Sequence, residues 1–126
     1  VRAASNPFVH IIGHPTGRLL LEREPYPVNI QAVIDACAET GTWLELNCSP
    51  YRLDLDWRLW PQAKSKGVQC AISPDAHREQ QADWLRLFAG VARKGWLTMA
   101  DVVNTLPLPA LRKALTEKRR ATKAVR

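Results

Sequence analysis

Val68-Gln-Cys-Ala-Ile-Ser-Pro-Asp-Ala-His77 holds the fold in miniature. An apolar run of strand type stops at a proline turn, and the turn carries a carboxylate and an imidazole before a helical stretch begins. Outward from it, the same order recurs twice. Phe8-Val-His-Ile-Ile12 is a β-branched run that ends at Gly13-His14-Pro15, and Trp43-Leu-Glu-Leu46 is a second strand followed by a loop. Between these two, Asn29 can cap a helix over 29–40, because Ile30, Val33, Ile34, Cys37 and Ala38 recur at helical spacing and Gly41 suits the exit. After the second strand, Asp56 can cap a short helix that tolerates Pro61 near its start and stops before Gly67. Gln80 to Lys94 has a helical pattern with Trp84, Leu87, Phe88 and Val91 on one face. Thr98 can cap a further short helix to Asn104, and Leu108 to about Arg120 forms a last, basic one.

Strands alternating with helices predict an α/β fold with a parallel sheet, because parallel strands need a crossover and a helix is the usual crossover. Three strands cannot close a barrel, which commonly takes about eight. An open piece of a barrel or a small doubly wound sheet remains. In either, the C-terminal strand ends share one rim, where ligands and catalytic groups converge. His14 follows the first strand, Glu45 and Asn47 end the second, and Asp75 and His77 follow the third.

With 126 residues, 46% of them hydrophobic and five of them Trp, the chain suits one folded core and is too short for two domains. Residues 1–111 balance their charges, and the net charge of +6 falls within residues 112–126. Such a basic run either meets a nucleic-acid backbone or is a solvated helix end. Cys37, Cys48 and Cys70 are odd in number and form no CxxC pair, which fits reduced thiols in a cytoplasmic chain. No apolar run approaches the ~18 residues that span a bilayer, and no secretory signal pattern opens the chain. The chain starts at Val1 and enters a strand within a few residues, so a missing N-terminal portion is expected.

Imidazole and carboxylate together suit zinc, manganese or iron, and Asp75-Ala-His77 can send two donors to one side of an extended loop. Against this stand ordinary roles: a hydrogen-bonded His14, an Asx turn at Asp75. Glu45 and Asn47 could orient a ligand histidine or a substrate oxygen, or Glu45 could pair with an arginine. Arg18 and Arg52 lie in loops after the first two strands, where their forked donors could take a phosphate or pair with Glu22 or Asp54. There is no Gly-rich phosphate loop, Ser-centred elbow or Cys nucleophile, which leaves acyl transfer and nucleoside triphosphate hydrolysis little support.

Ile11-Ile-Gly-His-Pro-Thr-Gly-Arg-Leu-Leu-Leu21, Leu44-Glu-Leu-Asn47, Arg52-Leu-Asp-Leu-Asp56, Ile72-Ser-Pro-Asp-Ala-His77, Gly90-Val-Ala-Arg-Lys-Gly-Trp96 and Asn104 together resemble the polymerase and histidinol phosphatase (PHP) domain. The version fused to bacterial family X DNA polymerases is the most similar, and the likeness runs from Phe8 to about Leu115. It implies about three βα units of a distorted β/α barrel plus C-terminal helices: residues 1–111 as the C-terminal portion of the domain and 112–126 as a basic helical tail. It also implies two or three divalent ions, manganese or zinc, that hydrolyse phosphate esters as a 3′–5′ exonuclease or 3′-end phosphatase on DNA. His14, Asp75 and His77 would be metal ligands, Asp75 and His77 also catalytic, and Glu45 and Asn47 would line the substrate pocket, to which the loop reading adds Arg18 and Arg52. The histidine-rich first motifs have no counterpart, and neither does a polymerase domain. The 126 residues alone are therefore expected to show little or no activity, while the complete parent hydrolyses. Two other readings stand beside this one: a small-molecule phosphatase akin to histidinol phosphatase, and a non-catalytic fragment that binds nucleic acid. If the basic run binds nucleic acid, DNA affinity should fall steeply between low and high salt and disappear on removal of residues 112–126. An anisotropy titration at several salt concentrations checks both.

Overall fold

The computed structural model describes residues 1–124. Three parallel strands lie in the order β1 (Ile11–Ile12), β2 (Trp43–Asn47) and β3 (Cys70–Ser73). Trp43 sits beside Ile11, and Leu44 to Asn47 run beside Cys70 to Ser73. The expected mixed α/β class with a small parallel sheet is therefore present. The first strand is shorter than its sequence suggests: of Phe8–Ile12 only two residues pair, and Phe8 is exposed.

Helix α1 (Ile30–Thr40) is delimited as its sequence requires. The Asn29 side chain accepts a hydrogen bond from the Ala32 N–H, and Gly41 adopts the left-handed conformation that ends the helix. Asp56 caps as expected, accepting from the Arg58 N–H, and opens a 3₁₀ turn at Trp57–Leu59 that continues into α2 (Trp60–Ser65) with Pro61 in its first turn. The continuous helix expected over 80–94 is divided instead. Glu79–Leu87 is 3₁₀ and only α3 (Phe88–Lys94) is α-helical. No residue of the 3₁₀ stretch is buried, so no apolar face packs to hold a regular α-helix there. Thr98 and Asp101 form a reciprocal capping box over another short 3₁₀ turn.

Both faces of the sheet are covered, which is why all five residues of β2 are buried. Strand alternation divides them. Leu44, Leu46, Cys70 and Ile72 pack with Ile34 and Cys37 of α1 and Trp60 and Ala63 of α2. Trp43 and Ala71 pack on the other side with Val103 and with Leu111, Ala114 and Leu115 of α4 (Leu108–Ala124).

That last contact changes the reading of the basic tail. Helix α4 lies against the sheet, its Leu115 carbonyl is 3.2 Å from His10 Nε2, and Lys118 is buried. The Lys118 ammonium donates to the Val9 carbonyl and the Thr42 hydroxyl, and burial lowers its pKa. Residues 112–118 are thus part of the packed unit, whereas 125 and 126 lie outside the described residues. Removing 112–126 would take away packing together with charge, so substitution of the exposed Arg112 and Lys113 isolates the charge. Among the described residues no helix is long and apolar enough to cross a membrane.

Gly95 ends α3 directly over the indole of Trp60, the largest fully buried side chain. A Cβ at position 95 would lie 2.8 Å from Trp60 Cβ. Gly95→Ala should therefore destabilise the fold by about 1–3 kcal/mol, the usual cost of overpacking, read as a lower urea midpoint with unchanged slope.

Candidate functional site

The parallel order brings the ends of all three strands to one edge, and a single carboxylate ties them. Glu45, on β2, accepts hydrogen bonds from the His14 backbone N–H after β1, from Asn47 Nδ2 at 3.2 Å, and from the Ser73 hydroxyl at the end of β3. Neither Glu45 nor Asn47 lines the cleft that holds Asp75 and His77. Asn47 is fully buried, with its amide oxygen accepting from the Ser49 N–H. Glu45 is also buried and borders an apolar cleft with Trp43, Ala71 and Asn104. Both were expected to line a substrate pocket; in this fold a parallel sheet has no hairpins at this edge, and their polar groups are engaged in joining its strands.

A second layer of ties surrounds the first. After Asn47 the chain turns back, so that Asp54 bridges Asn47 in antiparallel fashion and the Leu55 N–H donates to the Glu45 carbonyl. Arg18 donates to Asp56 at 2.8 Å and to the Arg52 carbonyl at 2.8 Å. Arg52 in turn donates from Nε to Asp75 Oδ2 at 2.9 Å. The pairings with Glu22 and Asp54 do not form, because the reversed loop sets Asp56 and Asp75 nearer the two guanidinium groups. Arg18 borders clefts with Asp56 and Arg58, away from Asp75 and His77, and Arg52 alone of the two arginines lines the Asp75 cleft.

That cleft, of about 470 Å³, is bordered by Arg52, Asp75, His77, Tyr51 and Trp84, with Ser49, Glu22 and Gln81 among its polar groups. His77 is exposed, and its Nδ1 is 2.7 Å from the Asp75 carbonyl oxygen. Because a carbonyl can only accept, Nδ1 is the donor in this contact, and in the neutral ring Nε2 presents its lone pair. The Gln81 side chain holds the loop by accepting from the His77 N–H at 2.6 Å. Both His14 and Asp75 have left-handed backbone, with φ of 25° and 54°. That conformation costs a non-glycine residue about 1–3 kcal/mol and is held here by the surrounding hydrogen bonds.

The three expected ligands are of the right chemical kind for zinc or manganese, but they do not converge. Among the described residues no group of three or more His, Cys, Asp and Glu side chains could hold one metal ion. Asp75 faces the Arg52 guanidinium, and His14 is not in the wall of the cleft that Asp75 and His77 share. The residues present do not by themselves make a metal shell.

Sequence reasoning missed Ser73, Tyr51, Gln81 and above all Asp54. Asp54 is fully buried inside the Arg-Leu-Asp-Leu stretch, where its Oδ2 accepts from the Thr16 and Gly17 N–H groups, both at 3.0 Å, and so fixes the loop that carries His14. Only its apolar flanks, Leu53 and Leu55, signal burial in the sequence.

No family model matches the chain. It is homologous to the DNA polymerase/3′-5′ exonuclease PolX of Bacillus subtilis, with 40% identity over 106 residues that make 84% of this chain and 19% of that protein. A probable phosphatase of a Thermoanaerobacter species is 29% identical over 126 residues, 95% of this chain and 49% of the relative. A probable phosphatase of Caldanaerobacter subterraneus is 34% identical over 83 residues, 61% of this chain and 30% of the relative. The chain thus spans about half or less of the length of the curated relatives it matches. These relatives support a phosphoesterase-type function at family level.

Burial raises the Asp54 pKa, opposed by its contacts with Thr16 and Gly17. Asp54 Oδ1 and the neighbouring Thr16 hydroxyl are both buried without a full hydrogen bond, although the hydroxyl still favours the carboxylate. An acid whose folded pKa lies above its unfolded value of 3.8 supports the fold fully below 3.8, and that support is lost as pH rises through the folded pKa. Asp54→Asn keeps an oxygen for the two amides and places donors beside the Thr16 hydroxyl. It should be at least as stable as wild type at pH 7, with the margin shrinking as pH falls toward about 4. Asp54→Ala should lose about 1–3 kcal/mol, since two buried amides lose their acceptor. Urea unfolding across pH checks both, and a loss above about 1 kcal/mol for the Asn variant at pH 7 would contradict the account.

Proposed function

We propose that this chain is part of a phosphoesterase module of the PHP type, of the kind joined to bacterial family X DNA polymerases, acting on 3′ ends of DNA. The observation that carries the reading is the 40% identity to the B. subtilis polymerase/exonuclease across 84% of the chain. The parallel strand order supports it, since the strand exits that precede His14 and Asp75 share one edge of the sheet.

In this proposal Asp75 and His77 are the catalytic pair of the cleft. Arg52 presents a planar guanidinium suited to phosphoryl oxygens, and His77 Nε2 is the atom able to hold or accept a proton. The divalent ions that the PHP resemblance implies, manganese or zinc, would activate water and neutralise phosphoryl charge when bound. His14, Asp75 and His77 could serve such ions only together with donors beyond those described and with Asp75 released from Arg52. No step is assigned to an ion on these residues alone. The likeness to probable phosphatases sustains the small-molecule reading as the second candidate.

A graft tests the proposal. The matched 106 residues of B. subtilis PolX are exchanged for the corresponding stretch of this chain, and the chimera is offered a 3′-recessed duplex and a panel of phosphorylated metabolites. The chimera should shorten the duplex from its 3′ end, and Asp75→Asn within the graft should lower kcat by about 100-fold or more. A folded chimera that hydrolyses only metabolites favours the second candidate. One that hydrolyses neither, or that tolerates Asp75→Asn, overturns the reading.

A further inference from the structure

Two aromatic side chains stand in the wall of the Asp75 cleft without a place in the core. Tyr51 is 55% exposed, and Trp84 lies on the 3₁₀ stretch from which no residue is buried. Their ring centroids are 5.8 Å apart at an interplanar angle of 77°. Each ring has two faces and an edge-to-face contact covers one face of one ring, so the pair forms an open corner with ring surface to spare.

The charges of the same cleft say what could use that surface. Arg52 is paired with the Asp75 carboxylate and Glu22 adds a second carboxylate to the cleft wall, so the cleft does not draw a phosphate dianion by its field. Affinity for a phosphate ester has to come from an uncharged part of the ligand. An aromatic corner beside a guanidinium and an imidazole suits a ligand with a flat neutral body and a phosphoryl group at its edge. Bases of unpaired nucleotides meet this description, because every base offers a π-face, and aromatic platforms are the common device for holding them. Paired bases have no free face except at the terminus.

We propose that Tyr51 and Trp84 form a base-stacking subsite that holds an unpaired terminal nucleotide of a DNA strand while its phosphoryl group faces Arg52 and His77. This rests on the phosphoesterase reading and narrows its substrate to strand ends whose terminal nucleotide is unpaired, the frayed end of a duplex included. The two aromatics are positioning residues and do not touch the reacting atoms.

The test uses the whole 126-residue chain and two fluorescently labelled hexanucleotides, oligothymidylate and an abasic strand with the same phosphates, in anisotropy titrations at fixed salt. Wild type should bind oligothymidylate about tenfold or more tightly than the abasic strand. Tyr51→Ala and Trp84→Ala should remove that preference and leave abasic affinity unchanged, whereas Tyr51→Phe and Trp84→Phe should retain it. Trp57→Ala, an exposed aromatic outside this cleft, should leave the preference intact. Equal binding of the two strands by wild type, or a preference that survives both alanine variants, overturns the stacking subsite and leaves the phosphoesterase reading standing. No binding of either strand by the chain, together with an inactive graft, overturns both.

Discussion

The carboxylate of Glu45 binds the exits of three strands that nothing else in their local sequence would bring together. Parallel strands lack the hairpin turns that fix neighbours in antiparallel sheets, so their C-terminal ends have to be joined by side chains or loops. Glu45 does this from the central strand, accepting from a backbone amide on one side, a hydroxyl on the other and the amide of Asn47 beside it. A buried carboxylate is tolerated only when donors surround it, and here the donors are the very groups whose positions define the rim. The arrangement is reciprocal: the loops satisfy the charge, and the charge orders the loops.

Around that centre the rim is held by electrostatics more than by apolar packing. Arg18 reaches across to Asp56 and to carbonyls of the loop after β2, and Arg52 reaches onward to Asp75. Asp54 secures the 14–17 loop from beneath. These ties hold His14 and Asp75 in left-handed backbone, which neither would prefer in isolation. The result is a surface with exposed imidazole and half-exposed guanidinium and carboxylate on a rigid base. The Arg52–Asp75 pair also means that a cation approaching Asp75 has to compete with a guanidinium already in place.

Much of this was legible in the sequence. The strand–turn–helix order, the caps Asn29 and Asp56 and the placement of His14, Asp75 and His77 after strands all follow from local chemistry: β-branched runs, proline and glycine turns, side chains that bond the nearest free amides. Local chemistry does not report which distant partner a charged side chain will take. Sequence therefore named Glu45, Asn47, Arg18 and Arg52 as one set, and the fold separated them. Two polar residues went into the joints of the sheet, one arginine pairs with Asp56 and loop carbonyls, and one stayed in the cleft.

The alternation of apolar runs with polar turns determined by itself that this protein is α/β with its strand exits on one shared edge, because backbone hydrogen bonding and burial act over a few residues and leave a periodic trace. Only the tertiary structure decided that the basic C-terminal helix packs against the sheet through Leu111, Ala114 and Leu115. Only it set Tyr51 and Trp84 in one corner, and Asp75 against an arginine 23 positions away. Those outcomes depend on where the turned-back loop after β2 delivers its side chains, a matter of three-dimensional register that no run of neighbouring residues encodes.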